Sequence, residues 1–428
     1  MRHRGVCRRR HPATRWPALG AGVTGRITIL VAARDEEERI GETVETLRTR
    51  FPAADIVIAD DGSRDRTREV AEAAGARVIS LARRGKGQAL TLAEKEVGPG
   101  DLLLCDADLV GDLRGLTETG ADLTIAVFGE RAGGGFGLAK RAARSLIELR
   151  CGFSPREPLS GQRFLSARAR GAVFPLAMGF GVETRMTIDA VRSGLSVEEV
   201  ELDLEHRATG RDVRGFAHRG RQLVELVLAC GPQGVNHRGL RLPLVGSLVG
   251  IAVPSVLPVV AAGLADDLWS GPERGFRAHL GAGVTTGTLK LVGIPLFALV
   301  RTRSVSGAVL VGLAANGVNQ LDTRPGRALK AFGLGSLLVG GAPGKAVAAA
   351  VLLAPYDLRE MAMLGDAGSN ALGAVLGFSS VERITGWRRW SAIGALALLT
   401  VVGECRSVGA LIESTPFLRA LDRLGRPA

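Results

Sequence analysis

The chain changes character part-way along. Up to about Arg241 short apolar segments alternate with charged, helix-patterned ones; from Pro243 onward long Gly/Ala/Val/Leu-rich stretches are broken by brief charged clusters. The first pattern admits few folds, because strands that alternate with helices close into a mostly parallel, doubly wound sheet. The second suits an all-α, multi-helix membrane domain. The 428 residues are therefore read as an α/β domain joined to a membrane domain.

Within the first half, Ile27–Ala33, Asp55–Ala59, Arg77–Leu81 and Asp101–Cys105 read as buried strands, and Ser196–Leu204 as a later one. Helices are expected over Asp35–Arg50, where opening acids suit the positive helix end, and over Arg64–Ala74 with Gly75 as its cap. Another opens at Gly85-Lys86-Gly87-Gln88. Two acidic turns fall at strand ends. Asp60-Asp61-Gly62-Ser63 lies where ligands of open α/β sheets bind, and suits the ribose or base of a nucleotide. Asp106-Ala107-Asp108 offers carboxylates at i and i+2, which can share one hard cation, Mg²⁺ or Mn²⁺, and leave positions for phosphate oxygens. Gly85-Lys86-Gly87 sets flexible backbone and one ammonium at a helix start, where a diphosphate can be held. Each element alone is commonplace. Their order and spacing together point to a metal-dependent, nucleotide-using transferase.

Composition narrows the partners. The net charge of +12 invites an anionic surface, and with 4% aromatics and no nucleic-acid-binding pattern that surface is a membrane rather than nucleic acid. Cys7, Cys105, Cys151, Cys230 and Cys405 show no paired spacing, so neither zinc nor a disulfide framework is indicated. A reducing, cytosolic setting for the α/β half follows. Residues 1–25 are Arg-rich without an apolar run after the charges, and read as a basic disordered tail rather than a secretory signal.

Val31-Ala32-Ala33-Arg34-Asp35-Glu36-Glu37, Asp60-Asp61-Gly62-Ser63-Arg64-Asp65, Gly85-Lys86-Gly87 and Asp106-Ala107-Asp108 resemble the successive motifs of nucleotide-sugar glycosyltransferases with the GT-A fold. The nearest branches are polyprenyl-phosphate glycosyltransferases and glucosyl-3-phosphoglycerate synthases. Ala32 and Asp35 stand where proline and asparagine are common. The resemblance spans roughly residues 26–225 and implies a domain over 26–235. It further implies that Ala33, Asp35 and Asp60 line the nucleoside pocket, that Lys86 approaches the diphosphate, and that Asp106 and Asp108 hold the metal. Ser160, Gly161, Gln162 and Arg163 resemble an acceptor-side loop. Glu183 is an acid for acceptor binding or base work, or simply a helix-start acid favoured by the dipole. His206 is a candidate third metal ligand, and Arg207 and Arg211 are candidate phosphate clamps.

In the second half Pro243–Leu264 is an uncharged run of spanning length, followed by apolar runs at Gly281–Val300, Ser304–Leu321, Ala328–Gly341, Ala346–Tyr356, Gly368–Ser380 and Ser391–Gly403. Five to seven crossings are expected within a domain over 241–410. Acids between the runs call for a use. The segments around Asp266-Asp267, Asp322 and Asp366 resemble signatures of polyprenyl-phosphate sugar-1-phosphate transferases, whose acids bind Mg²⁺ and phosphates. Here Thr323-Arg324-Pro325-Gly326 replaces the family's continuation after Asp322, and its histidine-rich loop is not evident. A single crossing by Pro243–Leu264 would also put Asp267 on the wrong side for cytosolic nucleotide sugars, unless Pro254 and Pro258 make the run re-entrant or Gln222–Cys230 contributes another pass. A reduced domain that anchors the chain or binds carrier lipid is expected.

The leading expectation is a multi-pass cell-membrane glycosyltransferase, its GT-A domain cytoplasmic, moving sugar from a nucleotide donor to a lipid-linked or phosphate-bearing acceptor in cell-envelope glycan synthesis. Three alternatives stand beside it. The membrane half could also transfer sugar-1-phosphate to polyprenyl phosphate, it could be a non-catalytic scaffold, or the acceptor could be water-soluble and of phosphoglycerate type.

Overall fold

The computed structural model describes residues 27–108, 110–128, 137–205, 214–269, 286–405 and 408–426. Its first half holds, among the described residues, the strands β1 (Thr28–Ala33), β2 (Asp55–Asp60), β3 (Arg77–Ser80), β4 (Leu102–Asp106), β5 (Val110–Gly111), β6 (Leu123–Phe128), β7 (Arg163–Leu165), β8 (Val197–Leu202) and β9 (Leu204–Glu205). Seven of these form one sheet in the order β3-β2-β1-β4-β7-β6-β8, parallel except for β7, which runs against both neighbours. The short β5 pairs instead with β9.

Helices α1 (Ile40–Arg50), α2 (Thr67–Ala73), α3 (Lys86–Glu94), α4 (Gly137–Cys151), α5 (Ala167–Val173), α6 (Val182–Arg192) and α7 (Arg214–Cys230) complete this half. Strand alternation divides the apolar residues between two cores. Ile29, Val31, Ile58 and Leu103 pack with Ile40, Val44 and Leu47 of α1. Leu30, Val57, Leu102 and Leu104 face the other way, onto Leu90 of α3 and Val182 and Met186 of α6. Burial on both faces explains why the strands read as continuous apolar runs.

Two expected helices start late. The acids Asp35 to Glu37 precede α1 rather than open it, because their backbone and side chains bond to residues 63–67 of the neighbouring turn. For the same reason α2 begins at Thr67, not Arg64.

A hairpin, β10 (Gln233–Val235) and β11 (Arg241–Pro243), leads into the second half. There follow α8 (Ser247–Ala252), α9 (Leu257–Trp269), α10 (Thr286–Thr302), α11 (Val305–Leu321), α12 (Arg327–Leu338), α13 (Gly344–Leu358), α14 (Gly365–Arg383), α15 (Gly386–Cys405), α16 (Val408–Ser414) and α17 (Pro416–Arg423). The centre is α14, buried almost throughout from Gly365 to Ser380. Small residues let neighbours approach its backbone: a Cβ on Gly373 would lie 2.4 Å from the Ala314 carbonyl of α11, and one on Gly263 of α9 would lie 2.5 Å from the Asp366 carbonyl. Such contacts suit helices that associate by close backbone packing.

The expected single helix over Pro243–Leu264 does not form. Its first residues complete β11, and Pro254 opens a 3₁₀ turn, Pro254–Val256, between α8 and α9. Pro254 has no N–H to continue α8, and the chain turns back until Gly250 faces Leu257 and Val260. The proline break foreseen for this run is therefore present. Among the described residues no single helix is long and apolar enough to cross a membrane; Gly386–Cys405 passes only when taken with Val408–Ser414, to which it is bent by 91°. The outer faces nonetheless carry large exposed apolar side chains, among them Val300, Leu337, Leu338, Leu352, Trp387 and Trp390.

Candidate active site

The parallel strands β1, β2 and β4 end together, with Ala33 beside Asp60 and Ala32 beside Asp106. At β2 the buried Asp60 carboxylate accepts the Ser63 N–H at 3.0 Å and the Ser63 hydroxyl at 2.5 Å. Ser63 Oγ in turn accepts the Asp35 N–H at 3.0 Å, and Asp35 Oδ1 accepts the Arg64 N–H at 2.8 Å. Asp35 holds a left-handed φ of 54°, a conformation aspartate tolerates better than most residues. The structure thus joins Ala33, Asp35 and Asp60 at one rim.

Asp61, quoted in the sequence motif without a role, is buried and accepts the Arg84 N–H at 2.6 Å and the Gly85 N–H at 2.9 Å. These bonds fold the loop before α3. Gly85 sits at φ 96°, where a side chain would be strained, and the next residue is Lys86.

Lys86 reaches the centre. Its Nζ donates to Asp106 Oδ1 at 2.6 Å and to Glu183 Oε1 at 2.8 Å. Burial works to lower the pKa of this ammonium, but the Asp106 and Glu183 carboxylates outweigh it and hold it above the ordinary lysine range. Lys86 is therefore charged at any pH near neutrality. Glu183 stands in the first turn of α6, where the dipole favours an acid, and also faces Lys86.

Asp106 is held from a second side. Gln162 Oε1 accepts the Asp106 N–H at 3.0 Å, and Gln162 Nε2 donates to Asp106 Oδ2 at 3.3 Å. The adjacent Gly161 has no side chain because a Cβ there would lie 2.2 Å from Asp106 Oδ2. Ser160 is buried beside them, its Oγ without a hydrogen-bond partner. Arg163, expected on the acceptor side, has no exposed surface to meet an acceptor. Its guanidinium instead bonds the Ser160 carbonyl at 2.7 Å, the Pro158 carbonyl at 3.1 Å and Thr187 Oγ1 at 2.9 Å, supporting the loop from beneath. Burial pushes its pKa down to about 10. Arginine in a β-strand next to a loop gave no sign of this inward role.

Asp108 is half-buried, within the electrostatic reach of Glu36. Burial first, and the nearby Asp108 charge as well, push the Glu36 carboxyl above its usual value although Arg39 opposes them. Glu36 is thus a further acid of the site, present in the sequence motif but given no role there. His206, Arg207 and Arg211 lie outside the described residues.

A divalent cation fits this arrangement. Asp106 already holds a positive charge in the form of the Lys86 ammonium, and Asp108 is a hard oxygen donor two residues on. Among the described residues no three His, Cys, Asp or Glu side chains converge on a common point, so much of such an ion's shell would come from ligand and water.

The second half gathers its acids as well. Lys290 of α10 bridges Asp266 and Asp366, with 2.8 Å to Asp266 Oδ2, and Thr286 Oγ1 donates to Asp266 at 2.6 Å. Asp267 accepts the Asp366 and Ala367 N–H groups at 2.9 and 3.0 Å, capping the start of α14. Asp322, at the end of α11, lies in the field of Asp357, Asp366 and Asp267. The three clusters do meet, but Asp266, Asp267 and Asp366 are occupied by partners from the protein itself.

Sequence comparison agrees with the strand-end geometry. The profile of glycosyl transferase family 2 matches residues 28–112, which hold β1 to β5 and the acidic turns. A glucosyl-3-phosphoglycerate synthase of Mycolicibacterium paratuberculosis is 31% identical over 258 residues, covering 50% of this chain and 75% of that protein. The chain belongs to glycosyl transferase family 2. Glycosyltransferase AglJ of Haloferax volcanii is 28% identical over 198 residues, 44% of this chain and 65% of AglJ, so just under two thirds of that relative is spanned. Among solved structures, glucosyl-3-phosphoglycerate synthase of Mycobacterium tuberculosis in complex with Mn²⁺, uridine diphosphate and phosphoglyceric acid is 27% identical, covers 48% of this chain and 78% of that one, and superposes with a TM-score of 0.41. Within this family 2 chain the Asp60 and Asp106 turns both fall inside the matched span, whereas Gln162 and Glu183 lie beyond it.

Proposed function

We propose that this family 2 chain transfers a glycosyl group from a nucleotide sugar to a phosphate-bearing acceptor. The observation that carries the reading is the Lys86 ammonium between Asp106 and Glu183, beside the Asp35–Ser63–Asp60 rim at the ends of three adjacent strands. The rim suits the nucleoside. Lys86, free to exchange a carboxylate for a phosphate oxygen, suits the diphosphate, and Asp106 and Asp108 would hold Mg²⁺ or Mn²⁺. Bound there, the ion would neutralise charge on the departing nucleoside diphosphate.

In the reaction the bond from the sugar's C1 to the diphosphate oxygen breaks and an acceptor oxygen bonds to C1. Lys86, held in a half-buried site by Asp106 and Glu183, would stabilise negative charge on the leaving group once it turns to a phosphate oxygen. The Ser160-Gly161-Gln162 loop stands on the other side of Asp106 and is the proposed acceptor wall. A hydroxyl acceptor would pass its proton to Glu183, while a phosphate oxygen needs no strong base. The phosphoglycerate named for the relatives makes a small phosphorylated acid the first acceptor to try.

We further propose that the helical half lies in or on a membrane. The support is its inverted surface: a central helix lined by small residues, surrounded by helices whose exposed faces carry Val292, Leu296, Val300, Leu334, Leu337 and Leu338. A transfer of sugar-1-phosphate by this half is a second reading, in which a ligand or cation would have to displace Lys290 from Asp266 and Asp366 while Asp267 stays on the start of α14. Labelled nucleotide sugar offered with 3-phosphoglycerate or with polyprenyl phosphate separates the acceptors. Label that moves to an aqueous phosphorylated product supports the soluble acceptor, and label extracted with lipid supports the carrier. Label that moves to neither, with any donor, removes the transferase reading.

A further inference from the structure

Among the described residues one carboxylate of the helical half gathers contacts from Arg84 of the α/β half and from the hairpin that joins the two halves. Glu360, just past α13, is 5% exposed. Its Oε2 accepts Arg84 Nη1 at 3.0 Å, and its Oε1 accepts Asn236 Nδ2 at 3.3 Å and lies 3.4 Å from Arg238 Nε and 3.9 Å from His237 Nε2. Glu360 also sits at φ 55°, the left-handed position after a helix that glycine usually takes. A glutamate kept at such a position, buried, and surrounded by donors from another part of the chain has a reason other than backbone comfort.

Arg84 supplies that reason. Its backbone N–H is the one bound to Asp61, and it lies two residues before Lys86. The loop is thus clamped at both ends of Arg84: Asp61 holds the main chain from within the sheet, and Glu360 holds the side chain from the helical half. Lys86, which meets Asp106 and Glu183, is set by that loop. We propose that Glu360 is a positioning residue for donor binding, through which the helical half fixes the Arg84–Lys86 loop of the transferase site. The inference rests on the nucleotide-sugar reading above. It gives the second half a part in the chemistry that needs none of its own acids to be catalytic.

The test uses the full chain with Glu360→Gln, which keeps size and loses charge, and Glu360→Gly, which suits the backbone and so protects against misfolding. Hydrogen–deuterium exchange of the ligand-free protein should show faster exchange in residues 82–88 with the β4 strand unchanged. Steady-state turnover should show KM for the nucleotide sugar raised by about tenfold with kcat within about twofold, the pattern of binding lost equally from the ground and transition states. Arg84→Met should reproduce the change, and the double variant should be no worse than either single one, because both remove one interaction. Unchanged exchange in residues 82–88, or faster exchange with an unaltered KM, would overturn the proposal. If the parent protein itself turns over no nucleotide sugar, the transferase reading fails first and this proposal falls with it.

Discussion

At Asp106 one carboxylate is shared by the Lys86 ammonium and the Gln162 amide and packs directly on Gly161. Asp106→Asn keeps the shape and the Gln162 contacts but weakens the hold on any cation, so turnover should fall by about 10²–10³-fold with little change in Tm. Gly161→Ala pushes a methyl group into the same carboxylate and should lower kcat while the sheet stays folded. Arg163 behaves differently. Its three bonds are buried, so Arg163→Met should cost about 3 kcal/mol of stability, read by denaturant titration, rather than act on the chemistry alone. Glu36 gives a pH test. Its folded pKa is raised by burial, so its ionised form weakens the fold above that pKa and the penalty vanishes below the unfolded value. In chelator, Glu36→Gln should raise Tm at neutral pH and leave it unaltered once both states are protonated. The acids at the strand ends were legible because their spacing is local. The burial of Arg163 was not, since what buries it comes from α6, more than twenty residues on.

Among the elements, the alternation of strand and helix in the first half carried through to the sheet, with each expected strand present within a residue or two. What local pattern could not supply was the start of α1 and α2. The acids that suit a helix opening found better partners across the turn, a case of side chains competing with helix formation. In the second half each apolar run became a helix except the first, which Pro254 interrupts. Close approach is the rule around α14. Gly373→Val would drive a branched side chain against the Ala314 carbonyl and should destabilise the helical half by at least about 2 kcal/mol, measured as an early transition in thermal unfolding.

On the scale of the whole molecule the two halves share a seam. Where the hairpin enters the helical half, Val245 donates its N–H to the Met363 carbonyl at 2.9 Å and Met363 donates to the Pro243 carbonyl at 2.9 Å, while Arg84 and Glu360, 276 positions apart, carry the seam across to the site. No reading of local sequence reaches across that distance. The exposed apolar faces of the helical half predict that the intact protein floats with phospholipid vesicles in a density gradient, and that charged substitutions at Leu337 and Leu338 reduce the floating fraction.

The central claim is a nucleotide-sugar transferase built on Asp106, Asp108 and Lys86. The most direct measurement is release of nucleoside diphosphate by the purified full chain from a panel of nucleotide sugars, with Mn²⁺, Mg²⁺ or chelator, for the parent protein and Asp106→Asn. The expected result is acceptor-stimulated release with one donor, abolished by chelator and by the substitution. Release that persists undiminished in chelator and in Asp106→Asn would contradict it.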